Sequence, residues 1–203
     1  MLEGGKARVK VTQVRWNLPP IGWYTCNTDG ASRGNPGRSA YGFCLRNAEG
    51  NLIYAKAEEI GYATNIEAEI VALLEALKYC KQQGLNNIIF QTDSQTSQKI
   101  LIGEWKPPWN IAVWVAEVEE YKKDLDVIFK HTLREANKLA DALANYALDE
   151  GPLQCHMFEE LKVHTKSPNK KSKQHKKGET KHMNNNKSVT GTKRTTMTEN
   201  KWR

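Results

Sequence analysis

Long apolar runs are missing from this chain: no window approaches the ~20 uninterrupted apolar residues that a bilayer crossing needs. Cysteine is sparse. Cys26, Cys44, Cys80 and Cys155 lie far apart, with no CxxC pair, which excludes an extracellular disulfide scaffold. No two His and two Cys sit at zinc-finger spacing. The opening MLEGGKARVK lacks an apolar stretch behind its basic residues, so no secretory signal is expected. The expectation is a reducing, intracellular compartment and no membrane.

What is present is an ordinary globular composition: 203 residues, 39% hydrophobic and 26% charged. Charge is unevenly divided. Residues 1–150 hold 17 Lys and Arg against 19 Asp and Glu, a net of −2. Residues 151–203 hold 13 against 4, a net of +9. The basic balance therefore belongs to the end of the chain. From about residue 162 onward apolar residues are few and without period, so a disordered tail is expected. Its lysines suit a polycation on phosphate backbones or a nuclear-import patch at Lys170–Lys177, but lysine runs are common in tails, and a plain solvated tail or read-through of a gene fragment is the favoured reading. The division expected is a lead-in over 1–20, a folded domain over 21–151 and a basic tail over 152–203.

Within the domain the pattern changes type repeatedly. Trp23–Asp29 reads as a strand ending at Asp29. Tyr41–Arg46 and Leu52–Ile60 follow, separated by the turn cluster Asn47-Ala48-Glu49-Gly50, and together predict an antiparallel meander. Ile66, Ile70, Leu73, Leu74, Leu77 and Cys80 recur at helical spacing and predict a helix over about 65–83, stopped at Gly84. Ile88–Thr92 is a strand. Helices follow over about 95–103 and 111–123, with Pro107-Pro108 between them. Val127–His131 is the fifth strand, and Asn137–Leu148 the last helix. The order predicts an α/β fold: a five-stranded mixed sheet with the first strand central, flanked by helices.

Several acids stand where stability alone would not put them. Asp29 and Asp93 end strands, and sites in α/β sheets form at the carboxyl ends of strands. Alternation puts Asp29 on one face with Asn27 and Thr25. Taken singly, each Asp also fits a turn or helix N-cap. Thr64-Asn65-Ile66-Glu67 is a capping box, which gives Glu67 a structural task. Glu69 has none, and its Leu73 and Ala76 neighbours turn it inward, where a carboxylate is costly unless paired or bound to a cation. Asp141, at the edge of the last helix's apolar stripe, reads alone as a surface acid. His131, ending the fifth strand, reads alone as a capping or packing residue. Four carboxylates at one place coexist only with cations between them, and an all-oxygen set suits Mg²⁺ or Mn²⁺. A two-ion carboxylate site suits phosphoryl chemistry.

The motifs Asp29-Gly30-Ala31-Ser32-Arg33-Gly34-Asn35-Pro36-Gly37, Thr64-Asn65-Ile66-Glu67-Ala68-Glu69, Thr92-Asp93-Ser94-Gln95, Arg134-Glu135-Ala136-Asn137 and Ala140-Asp141-Ala142-Leu143-Ala144 follow in that order. Together they resemble the type 1 ribonuclease H domain over roughly residues 16–150. They are most similar to the plant form found in non-LTR retrotransposons and the host genes derived from them. Pro19-Pro20-Ile21-Gly22-Trp23 is similar to that group's entry to the first strand. The resemblance implies a ribonuclease H-like fold. It also implies metal-dependent hydrolysis of the RNA strand of an RNA–DNA hybrid, with two ions, Mg²⁺ or Mn²⁺. It makes Asp29, Glu69, Asp93 and Asp141 the metal-binding carboxylates and His131 the mobile histidine that helps proton transfer or product release. Asn35, Asn65 and Gln95 would contact the minor groove of the hybrid, with Gly34 and Gly37 letting backbone approach it.

Two departures stand out. Ile66 replaces the second Asn usual after Asn65, removing a polar groove contact. Trp105-Lys106-Pro107-Pro108-Trp109 replaces a basic, Trp-rich handle; its tryptophans are expected to pack under the Pro-Pro loop, with stacking along the DNA strand as the alternative. No base-reading set is evident, so little sequence preference and salt-sensitive binding are expected. A catalytically weak, domesticated nucleic-acid-binding module is the competing reading, and a 3′–5′ exonuclease on the same architecture is a third. A monomer, in the nucleus rather than the cytoplasm, completes the expectation.

Overall fold

The computed structural model describes residues 17–165. Strands β1 (Tyr24–Gly34), β2 (Gly37–Arg46) and β3 (Leu52–Ala63) form the antiparallel meander. Helix α1 (Asn65–Gln82) leads to β4 (Ile88–Thr92), parallel to β1. Helices α2 (Gln95–Leu101) and α3 (Ala112–Lys122) lead to β5 (Val127–His131), parallel to β4. A 3-10 turn at Arg134–Ala136 precedes α4 (Lys138–Glu150). Then come β6 (Leu153–Cys155) and α5 (Phe158–Thr165). Among the described residues no helix is long and apolar enough to cross a membrane.

The sheet order is β5-β4-β1-β2-β3-β6, with β1 inside it as expected. The sheet has six strands rather than five. The sixth lies beyond the boundary placed at 151, where Ala55, Lys56 and Ala57 of β3 pair with Cys155, Gln154 and Leu153. Leu153, Cys155 and Leu161 are buried against Leu52, Leu143 and Leu148, so the domain runs past that boundary. Three residues are too short for a periodic signal, and only the β3 edge makes them a strand. The tail expected over 152–203 is thus folded at its start, and its lysine-rich remainder lies outside the described residues.

One face of the sheet is covered by α1 and α3, with Phe43, Leu45, Ile70, Leu73, Leu77, Ile88 and Phe90 at its centre. The other carries α4 over β1, β2 and β3. Each fully buried Leu, Ile or Phe contributes ~1.5–3 kcal/mol. α1 begins as its sequence predicts. Thr64 Oγ1 accepts from the Glu67 amide, and the Glu67 carboxylate accepts from the Thr64 amide at 2.6 Å.

Two glycines set how closely the helices approach. At Gly30 a Cβ would lie 2.3 Å from the backbone of Ala68 and Glu69. At Gly42, the cross-strand partner of Asp29, a Cβ would lie 2.5 Å from the Ala144 amide. Without those two carbons α1 presses onto β1 from one side and α4 onto β2 from the other. Each helix carries one of the candidate acids.

Candidate active site

Asp29 lies in the middle of β1 and does not end it, because the hairpin with β2 continues to the Gly34–Gly37 pair. Pairing with β4, however, stops at Asn27 and Gln91. Asp29 therefore stands where the two strands diverge, with Asp93 just past the end of β4. Gly30 lets Glu69 of α1 into the same gap. Oxygens of Asp29, Glu69 and Asp93 all lie within 4.8 Å of one another. Asp141, in the first turn of α4, lines the same pocket from the other side, with Ser94, Arg134 and Asn145. All four acids of the sequence reading thus face one cavity, three tightly and the fourth at its rim.

The cluster is electrostatically costly. Asp29 is 5% exposed. Burial, then Glu69 and Asp93, push its carboxyl up to about 9. Burial, then Asp93, push Glu69 up to about 8. Thr92 Oγ1 donates to Glu69 Oε2 at 3.2 Å, and the Gly30 amide also favours the ionised form, but these do not outweigh desolvation. Arg134 is the one cation among the pocket's lining residues. Its Nε lies 3.9 Å from Asp93 and its Nη2 3.5 Å from Asp141. Asn145 Nδ2 donates to Asp141 Oδ1 at 3.2 Å. Three crowded carboxylates, two of them (Asp29 and Glu69) with raised proton affinity, and only oxygen donors, fit a hard divalent cation, which would remove the repulsion.

His131 does not line the acid pocket. It is exposed at the end of β5, and its Nε2 donates to the Asp93 carbonyl at 3.2 Å. The neighbouring groove is lined by Asn35, Thr64, Asn65, Ile66, Glu69, Ser94, Thr96 and Asn110. Asn35 Oδ1 accepts from the Asn65 amide at 3.0 Å, joining the hairpin tip to the start of α1. Gly34, at that tip, has φ 118°. Gln95 is exposed on α2 and does not line the groove, whereas Thr96 and Asn110 do. Asn110 Nδ2 donates to Glu67 Oε1 at 3.1 Å. The packing expected of the tryptophans is corrected: Trp109 is 90% exposed and Trp105 48%. The Lys99 ammonium lies 4.9 Å above the Trp105 ring. The sequence reading gave no role to Arg134, Asn110, Thr96 or Thr92; only their tertiary position marks them, although Arg134 and Thr92 fall within quoted motifs.

Residues 27–147 match the family model described as reverse transcriptase-like. A ribonuclease H of Polynucleobacter asymbioticus is 31% identical over 140 residues, 61% of this chain and 88% of that protein. This chain belongs to the reverse transcriptase-like family and carries a type 1 ribonuclease H domain. Its similarity to the ribonuclease HI of Halobacterium salinarum is 40% identity over 124 residues, 60% of this chain and 62% of that one. An Arabidopsis thaliana protein named for ribonuclease H is 33% identical over 150 residues, 70% of this chain and 24% of that protein. This ribonuclease H domain is similar to the crystal structure of the Halobacterium RNase H1, with a TM-score of 0.61 at 37% identity, covering 64% of this chain and 99% of that one. It is similar also to LC11-RNase H1 solved in complex with an RNA/DNA hybrid, with a TM-score of 0.59 at 28% identity, covering 63% and 97%.

Proposed function

We propose that this ribonuclease H domain is a metal-dependent endonuclease that hydrolyses the RNA strand of RNA–DNA hybrids. The observation that carries the reading is the approach of Asp29, Glu69 and Asp93 to within 4.8 Å in a pocket that Asp141 also lines. The relatives named ribonuclease H, and the similar structure holding a hybrid, support the choice of substrate.

The four carboxylates would hold two divalent ions, Mg²⁺ or Mn²⁺. When bound, the ions neutralise the acids and the scissile phosphate and lower the pKa of an attacking water. The chain's own residues do the rest. The water oxygen forms a bond to phosphorus as the bond to the RNA 3′-oxygen breaks. The products are a 5′-phosphate and a 3′-hydroxyl. His131, exposed beside Asp93, takes the proton that the attacking water releases or gives one to the departing 3′-oxygen. Arg134 at the rim faces the phosphate. Asn35 and Asn65, with Gly34 at the hairpin tip, follow the hybrid's minor groove, where a 2′-hydroxyl distinguishes RNA from DNA. Gln95 extends that contact from α2. Such contacts carry little base information, so cleavage has little sequence preference. The domain acts as a monomer. The Arabidopsis similarity and the Pro19-Pro20-Ile21-Gly22-Trp23 entry support a plant, retrotransposon-derived origin.

The test is purified protein with a labelled RNA–DNA hybrid and Mg²⁺ or Mn²⁺, set against Asp29→Asn. Cleavage confined to the RNA strand, lost in the variant, is expected. No cleavage by the parent protein at any metal concentration overturns the proposal.

A further inference from the structure

Asn137 is fully buried. It occupies the N-cap position of α4, where an Asn ordinarily accepts a bond from the first-turn amides, yet its side chain caps nothing. It turns into the sheet instead. Nδ2 donates to the Thr28 carbonyl at 3.0 Å and to Asp29 Oδ1 at 3.4 Å. Oδ1 accepts from Asn27 Nδ2 at 3.1 Å. Asn27, 1% exposed on β1, donates also to Gln91 Oε1 of β4 at 3.1 Å, and its Oδ1 accepts from Arg46 at 3.3 Å. Three amides from β1, β4 and the start of α4 thus interlock beneath the acids. Such groups are costly to bury unless their bonds are made, and an apolar trio would fill this face without that demand.

The backbone of the same residue points the other way. The Asn137 carbonyl accepts the Asp141 amide at 3.2 Å, the opening bond of α4. One residue therefore grips Asp29 with its side chain and Asp141 with its main chain. Asp141 lies outside the tight group formed by Asp29, Glu69 and Asp93, so its place relative to that group follows from where α4 begins.

We propose that Asn137 is a positioning residue that sets the distance between Asp29 and Asp141, and that Asn27, braced by Gln91 and Arg46, holds Asn137 in place. The inference rests on the proposed function only for what the four acids bind. It predicts that the amides act on metal affinity and turnover, leaving affinity for the nucleic acid untouched, because the groove residues Asn35, Asn65 and Asn110 lie on other elements.

The experiment compares the full chain with Asn137→Ala, Asn27→Ala and Gln91→Ala, each checked by circular dichroism and melting. Mn²⁺ affinity is read by calorimetry without nucleic acid, and kcat and KM on a hybrid. Loss of a group that orients a metal ligand costs roughly 10–100-fold in metal affinity or activity. Asn137→Ala should weaken Mn²⁺ binding about tenfold and lower kcat about 10–100-fold, with KM for the hybrid within about twofold. Asn27→Ala should follow with a smaller loss, and Gln91→Ala with the smallest. The part-exposed Gln91 keeps the series readable if a buried variant fails to fold. Variants that melt earlier yet bind Mn²⁺ and turn over like the parent overturn the inference while leaving the nuclease reading intact. A parent that neither binds Mn²⁺ nor cleaves takes down both.

Discussion

Replacing Asp29 by Asn should stabilise the metal-free protein while abolishing cleavage. The folded state holds the Asp29 carboxyl up to about 9, chiefly through burial and then through Glu69 and Asp93, against an ordinary value of 3.8. Between those limits the native protein keeps a proton that the unfolded chain gives up. Native protein then binds more protons, so its stability falls as pH rises from about 4 to about 9. At ~1.4 kcal/mol per unit, the gap between 3.8 and neutral pH sets an upper bound of roughly 4 kcal/mol. Asp29 and Glu69 titrate as a pair, so that bound belongs to the two carboxyls together. Asn has nothing to ionise and still offers Asn137 an acceptor. The assay is thermal melting in a chelator at pH 5 and pH 8. At pH 8 the variant should melt above the parent, by at most roughly 8–16 °C at ~2–4 °C per kcal/mol, with a smaller gap at pH 5. Added Mg²⁺ should raise the parent's melting temperature and close the gap. A variant that melts at or below the parent at pH 8, or a gap that does not widen with pH, refutes the electrostatic account.

Gly30→Ala places a methyl 2.3 Å from the Ala68–Glu69 backbone, so α1 must shift outward, taking Glu69 with it. A loss of ~1–3 kcal/mol in urea unfolding and at least about tenfold lower turnover are expected. Leu77→Ala empties a fully buried site against Phe43 and Ile88 and should cost ~2–5 kcal/mol, a denaturation measurement that also checks the register turning Glu69 inward. Trp109→Ala, at a ring 90% exposed, should change stability by less than ~0.5 kcal/mol. Its hybrid affinity, read by fluorescence anisotropy, should fall severalfold if the ring stacks on the DNA strand, at ~1–3 kcal/mol per base.

Local signals read true. Thr64 and Glu67 lie three residues apart, and a capping box needs nothing beyond that spacing; it forms as written. The recurrence of Ile70, Leu73, Leu74 and Leu77 orients α1, and that orientation sends Glu69 inward. Ile88–Thr92 and Val127–His131 are strands at the expected bounds, because each opens on a short run of β-branched and aromatic residues. Signals that depend on a partner read poorly. β1 runs five residues past Asp29 because β2 offers it a hairpin register, and β6 exists only because the β3 edge is open beside it. Trp109 carried the same apolar weight as a core residue, and only the path of the loop left it in solvent.

The amino-acid sequence by itself determined the order of elements as far as α4 and the inward turn of Glu69, since periodicity and capping act within a few residues of one another; the four acids were singled out as a set by the motifs' resemblance to the ribonuclease H domain. Tertiary structure alone decided that these acids share one pocket, how high the proton affinity of Asp29 and Glu69 climbs and which groups hydrogen-bond to them. Those properties arise where separate strands and helices meet. The close approach of α1 at Gly30, the press of α4 on Gly42 and the bond from Asn137 to Asp29 join residues distant in the chain, where no local spacing can foretell them.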